Sequence, residues 1–215
     1  MKPIFISGIG TGIGKTVIAS IITQAMKADY WKPVQAGYDP GTDRELVASL
    51  ISHSETVIHP ETYLLKLAAS PHIAAQRESR RIDPEKIAAD LHLMDDKRPL
   101  VIEGAGGMMV PLNEKEFVID LVKKLDARLV LVSRNYLGSI NHSLMTAAIC
   151  RQYGLDVAGW VFNDQYMNYE QEIVHWSGYP ALFSLPMMNP LSKEAILAAA
   201  ESIPQEGMGY LYGSL

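Results

Sequence analysis

The run Gly8-Ile9-Gly10-Thr11-Gly12-Ile13-Gly14-Lys15-Thr16 constrains this chain more than any other segment. It follows a short apolar stretch, Pro3-Ile4-Phe5-Ile6-Ser7, and opens a helical pattern that runs to Lys27. Strand, glycine loop and helix in that order make a cradle for nucleotide phosphates. The glycines let backbone N–H groups approach phosphate oxygens, and the helix N-terminus favours anions. In such a cradle Lys15 reaches the β- and γ-phosphates and the Thr16 hydroxyl ligates Mg2+. ATP or GTP is therefore the expected ligand. Five residues separate Gly8 from Gly14, one more than the strict pattern has. A ligand-free glycine turn is the plain alternative; the placement of Lys15-Thr16 at a helix start, after a strand, argues against it.

Around this loop, apolar runs alternate with helical patterns. The strands expected are Ile4–Gly8, Tyr30–Pro33, Leu100–Glu103, Arg128–Ser133, Val157–Phe162 and Ala181–Ser184. The unbroken Leu129-Val130-Leu131-Val132 suits a strand buried on both faces. The helices expected are Lys15–Lys27, Asp43–Ser52, Pro84–Met94, Glu116–Leu125, Ser139–Tyr153, Tyr169–Ser177 and Lys193–Ala200. Residues Ser54 to Arg81 show little periodicity and read as an irregular excursion. The alternation predicts an α/β fold: one mainly parallel, twisted sheet with helices on both faces, in a single domain over residues 1–215.

Ligands of such sheets bind beyond the C-terminal ends of the strands. Lys32 sits at one such end, as a charge for a phosphate or carboxylate-like group or as a solvated lysine. Glu103 follows Leu100-Val101-Ile102 and precedes Gly104-Ala105-Gly106-Gly107. It suits a Mg2+ ligand, or a structural carboxylate before a tight turn. Asp43 reads equally as a first-turn helix acid and as a second metal ligand. Asn163-Asp164 read as a purine-edge contact or a turn. The Gly138–His142 segment reads as a helix N-terminus for an anion, or as a helix simply capped by Ser139. Met187 and Met188 line a pocket or pack a core.

The net charge of −5 gives no support for nucleic-acid binding. No apolar stretch is long enough for a membrane span, and the N-terminus lacks a signal-peptide pattern. The lone Cys150 lies in an apolar helical run and reads as a buried, inert thiol. A cytoplasmic setting is expected.

Taken together, several strings resemble the dethiobiotin synthetase family. They are the loop Gly8–Thr16, Trp31-Lys32-Pro33-Val34-Gln35-Ala36-Gly37, Ser70-Pro71-His72-Ile73, Val101-Ile102-Glu103-Gly104-Ala105-Gly106-Gly107, Leu137-Gly138-Ser139-Ile140-Asn141-His142 and Gly159-Trp160-Val161-Phe162-Asn163-Asp164. The family's own phosphate loop carries the extra residue. The resemblance implies a phosphate-loop fold and an ATP- and Mg2+-dependent ligase that joins 7,8-diaminononanoate and CO2. One amine is carbamated, the carbamate takes the γ-phosphoryl group, and the second amine closes the urea ring. By the same resemblance Lys15, Lys32 and Thr11 serve catalysis. Gly12, Ile13, Gly14, Lys15, Thr16, Val17, Gly104, Ala105, Gly106, Asn163, Asp164, Pro186, Met187 and Met188 hold the nucleotide. Thr16, Asp43 and Glu103 hold the metal. Lys32, Ala36, Ser70, Gly107, Gly138, Ser139, Ile140 and Asn141 meet the substrate, in a homodimer with the site at the interface, without nucleic acid or membrane. Gly12 stands where some members carry an acid, and Ala36 where some carry a hydroxyl. A partition- or septum-type ATPase shares the loop and fold. The Gly at position 10, the acidic charge and a C-terminal tail without basic residues argue against it.

Overall fold

The computed structural model describes every residue except Asp96, Gln165 and Leu215, and Tyr166 by its backbone alone. In chain order the elements are β1 (Ile4–Gly8), α1 (Lys15–Met26), β2 (Asp29–Trp31), β3 (Val34–Ala36), α2 (Asp43–Leu50), β4 (Ile58–His59), β5 (Tyr63–Leu65), α3 (Pro71–Arg77), α4 (Pro84–His92), β6 (Leu100–Gly107), α5 (Val118–Lys124), β7 (Arg128–Arg134), α6 (Ser139–Gln152), β8 (Val157–Asn163), α7 (Glu170–Ser177), β9 (Ala181–Leu185), α8 (Lys193–Glu201) and α9 (Gln205–Tyr212). Seven strands form one sheet in the order β4-β2-β6-β1-β7-β8-β9, and every pairing in it is parallel. Parallel strands need helical crossovers, which cover both faces.

The strand residues divide between two cores by simple alternation. Ile4 and Ile6 of β1 join Val130 and Val132 of β7 and Val161 of β8 beneath α1, α2, α8 and α9. Phe5, Leu129, Leu131, Trp160 and Phe162 point the other way, against α3 to α7. Cys150 lies in this second core, where burial pushes its thiol up to about 12. It is inert at neutral pH.

The structure departs from the sequence reading at four places. The strand expected over Tyr30–Pro33 ends at Trp31; the chain turns at Pro33 and resumes as β3, which pairs with β5 in a separate two-stranded sheet. The segment read as irregular, Ser54 to Arg81, contains β4, β5 and α3. The glycine run after Glu103 is strand, not turn: β6 continues to Gly107, with a register shift against β1 between Ile6 and Gly8. A final helix, α9, follows α8.

Because β1 is central and its neighbours β6 and β7 come from later in the chain, a crevice opens beyond the C-terminal ends of these strands. The glycine loop, Lys32, the end of β6, the end of β7 and Asn163 all border it.

Candidate active site

The glycine loop joins β1 to α1. Gly14 is the N-cap of α1, with φ 93°, and a Cβ there would lie 2.0 Å from Nδ2 of Asn163. Only glycine fits both the left-handed backbone and that approach. Asn163, at the end of β8, donates from Nδ2 to the Ile13 carbonyl at 2.8 Å. One end of the adenine-contact pair expected from sequence is therefore tied to the phosphate loop itself. Lys15 is buried and its Nζ donates to the Gly10 carbonyl at 2.6 Å. Burial, partly offset by Glu103, lowers its pKa to about 8.

Thr16, Lys32, Asp43 and Glu103 meet in one cluster. Each arrives by a different route. Thr16 is on the first turn of α1. Lys32 follows β2, whose Trp31 is fully buried and anchored by its indole N–H to the Pro60 carbonyl. Asp43 is the first residue of α2, fixed by a Thr42/Glu45 capping box. Glu103 lies inside β6, only 1% exposed.

Lys32 Nζ donates to Glu103 Oε1 at 2.9 Å and also to Asp43 Oδ2. The Thr16 hydroxyl lies 2.9 Å from Glu103 Oε1 and 3.1 Å from Asp43 Oδ1. The Tyr30 hydroxyl donates to Glu103 Oε2 at 2.7 Å. Burial alone would lower the Lys32 ammonium, but the Glu103 and Asp43 carboxylates outweigh it and hold its pKa above the ordinary lysine value. Burial, joined by the Glu103 charge, pushes the Tyr30 phenol well up, so it serves as a donor.

The donor set suits Mg2+. Among the described residues no three His, Cys, Asp or Glu side chains gather into a protein-only metal cage. Mg2+ is usually held by one or two carboxylates with substrate phosphates and water. Two carboxylates and a hydroxyl beside a phosphate loop match that, and the hard oxygen donors exclude a thiolate or imidazole metal.

The cluster borders a cleft of 760 Å3 that also takes in Thr11, Gly12, Gly14, Val17, Ala36, Ser70, Ala105 and Gly106. On the other side of the loop a second cleft, of 830 Å3, runs between Gly10–Ile13 and Arg134–Leu137, with Asp164, Pro186 and Met187 on its far wall. A smaller recess of 160 Å3 joins Asn163, Asp164, Met187 and Met188 beside Gly14 and Val17. Gly104 is packed against the Phe5 ring, and Gly107 runs beside the Gly8 carbonyl; neither lines these clefts. Gly138, Ser139, Ile140 and Asn141 also lie outside them, at the start of α6. There Ser139 is buried, its Oγ accepting from Tyr136 N, while Gly138 and Asn141 are exposed. Two residues bordering the second cleft carried no individual signal in the sequence. Arg134 pairs with Asp164 at 3.4 Å, and Asn135 is buried behind it.

A family model described as an AAA domain matches residues 2–195. The ATP-dependent dethiobiotin synthetase BioD of Cytophaga hutchinsonii is 43% identical over 203 residues, covering 93% of this chain and 96% of that protein. Its counterpart from Afipia carboxidovorans is 42% identical over 195 residues, covering 90% and 91%. The chain belongs to the dethiobiotin synthetase family. Among solved structures, a ParA family ATPase from Chlorobium tepidum aligns with TM-score 0.58 at 15% identity, covering 98% of each chain. The MinD cell division protein of Aquifex aeolicus aligns with the same score and identity, covering 95% and 99%. At that identity the likeness is one of fold alone.

Proposed function

We propose that this chain forms dethiobiotin from ATP, CO2 and 7,8-diaminononanoate, with the 760 Å3 cleft as the reacting centre. The observation that carries the reading is the convergence of Lys32, Asp43, Glu103 and Thr16 beside the phosphate loop, in a chain about 40% identical to named synthetases along most of its length.

One amine of the substrate takes up CO2 to give a carbamate. A carbamate oxygen attacks the γ-phosphorus and ADP leaves; the second amine attacks the anhydride carbon and expels phosphate. Aligning two anions is the main obstacle, so positioning and charge neutralisation matter more than a strong base. Lys32 is held protonated by its two carboxylates and serves as a fixed positive charge for carbamate and γ-phosphate rather than as a base. Lys15 leaves the Gly10 carbonyl for the phosphates, and the loop's backbone N–H groups complete the cradle. Thr11 lies where loop and substrate cleft meet. Thr16, Asp43 and Glu103 would hold Mg2+, which when bound offsets phosphate charge. Ala36 and Ser70 border the substrate path, while Gly107 backs the phosphate loop beside the Gly8 carbonyl; Asn163, Asp164, Pro186, Met187 and Met188 receive the base.

The exposed start of α6 supports a homodimer. Gly138 and Asn141 are exposed and line none of this chain's clefts, next to the exposed apolar side chains of Leu137 and Met145. A second copy would cover those side chains and bring a helix N-terminus to the substrate carboxylate. No helix among the described residues is long and apolar enough to cross a membrane, and we place the reaction in the cytoplasm.

ADP release by the purified protein with Mg2+ and ATP tests the reading. It should require both the diamine and bicarbonate, with dethiobiotin formed one for one. Slow ADP release indifferent to both would overturn it in favour of a nucleotide-switched ATPase.

A further inference from the structure

The buried amide of Asn135 has no place in the mechanism above. Asn135 follows the last residue of β7, is 3% exposed, and lines the 830 Å3 cleft. Neither its Oδ1 nor its Nδ2 has a hydrogen-bond partner among the described residues. A buried amide left wholly unpaired is unfavourable, and it persists where a ligand supplies the missing partners.

The position of the cleft limits what that ligand is. Its near wall is the loop tip Gly10–Ile13 and its far wall includes Asp164 and Met187. The first borders the phosphate cradle; the second borders the recess beside Asn163, which is itself bonded to the loop. The part of a nucleotide that lies between its phosphates and its base is the sugar. The chemistry agrees. A phosphate oxygen only accepts and would leave Oδ1 unpaired, whereas a sugar hydroxyl both donates and accepts and can satisfy either end of the amide. Arg134 and Asp164 hold the wall in place by pairing the end of β7 with the end of β8 at 3.4 Å.

We infer that Asn135 hydrogen-bonds a ribose hydroxyl of the bound nucleotide and makes the site sensitive to the hydroxyl pattern of the sugar. The inference rests on the reading of this cradle as an ATP site. Titration calorimetry with ATP, 2′-deoxyATP and 3′-deoxyATP, each with Mg2+, tests it on the unaltered chain. One of the two deoxynucleotides should bind about tenfold more weakly than ATP, the effect of losing one hydrogen bond to an otherwise unpaired amide. In Asn135→Ala all three should bind alike, near the weaker affinity. Equal binding of all three to the unaltered chain would overturn the inference, as would a ribose preference that survives in Asn135→Ala. Failure of the unaltered chain to bind any of them would instead overturn the ATP reading.

Discussion

Replacing Lys15 with methionine should make the nucleotide-free protein more stable while removing its activity. The side chain is buried, and burial takes its pKa from 10.5 to about 8. That displacement corresponds to roughly 3 kcal/mol against the charged form. Loss of the 2.6 Å bond to the Gly10 carbonyl returns about 1 kcal/mol in the other direction. A methionine of similar length fills the same space, so the net gain at pH 7 is about 2 kcal/mol. The pH dependence has a fixed sign. The group is a base whose folded pKa lies below its unfolded one, so between about 8 and 10.5 the unfolded chain binds the proton and the folded chain does not. The penalty carried by the native lysine is full below pH 8 and fades as pH rises toward 10.5. Urea unfolding of both proteins in EDTA, at pH 7 and again at pH 10, measures it. The methionine variant should lead at the lower pH and lose most of that lead at the higher. A variant no more stable than its parent at pH 7, or a lead unchanged between the two, would refute the reasoning.

Three further outcomes follow from the cluster and the loop. Lys32→Met leaves the buried Glu103 without its ammonium partner; it should lower stability by roughly 3 kcal/mol in denaturant titration and kcat by at least two orders of magnitude. Glu103→Gln keeps a hydrogen-bond acceptor for Tyr30 but removes a charge, so half-maximal ADP release should require several-fold more Mg2+, read by titrating the metal at saturating ATP. Gly14→Ala places a Cβ into the Asn163 amide at a left-handed backbone position; calorimetric ATP binding should fall below detection, with Tm lower by several degrees.

The parts of the fold that announced themselves in the sequence are those whose side chains repeat. The core strands β1, β7 and β8 are apolar runs long enough to read, and their bounds differ from expectation by at most one residue. Strands β3 and β5 have three residues each, too few for any period to show. Helix α9 carries Gly207 and Gly209, poor helix formers, so its sequence reads as loop. Tertiary contact overrides that propensity, because a Cβ at position 207 would come within 2.5 Å of the Leu182 carbonyl. The glycines of β6 misled for a related reason: position 104 lies in a strand but is glycine because the Phe5 ring leaves no room for a side chain. Lys32, Asp43 and Glu103 were legible as charges at strand and helix ends, and the structure brings them together. Asn135 was not, since an asparagine just past a strand looks like any turn residue until its burial is known.

The pairing of Lys32 with Asp43 and Glu103, with Lys15 held nearby on the Gly10 carbonyl, has an electrical consequence. Lys32 is bonded to both carboxylates and the Lys15 ammonium lies within reach of their field, so the four charges nearly cancel. A free divalent ion approaching it finds its ligands already balanced by a resident lysine and is weakly attracted. The triphosphate changes that balance, because it draws Lys15 toward itself and brings several negative charges. On the proposed reading of this cluster, metal and nucleotide are best captured together rather than one after the other.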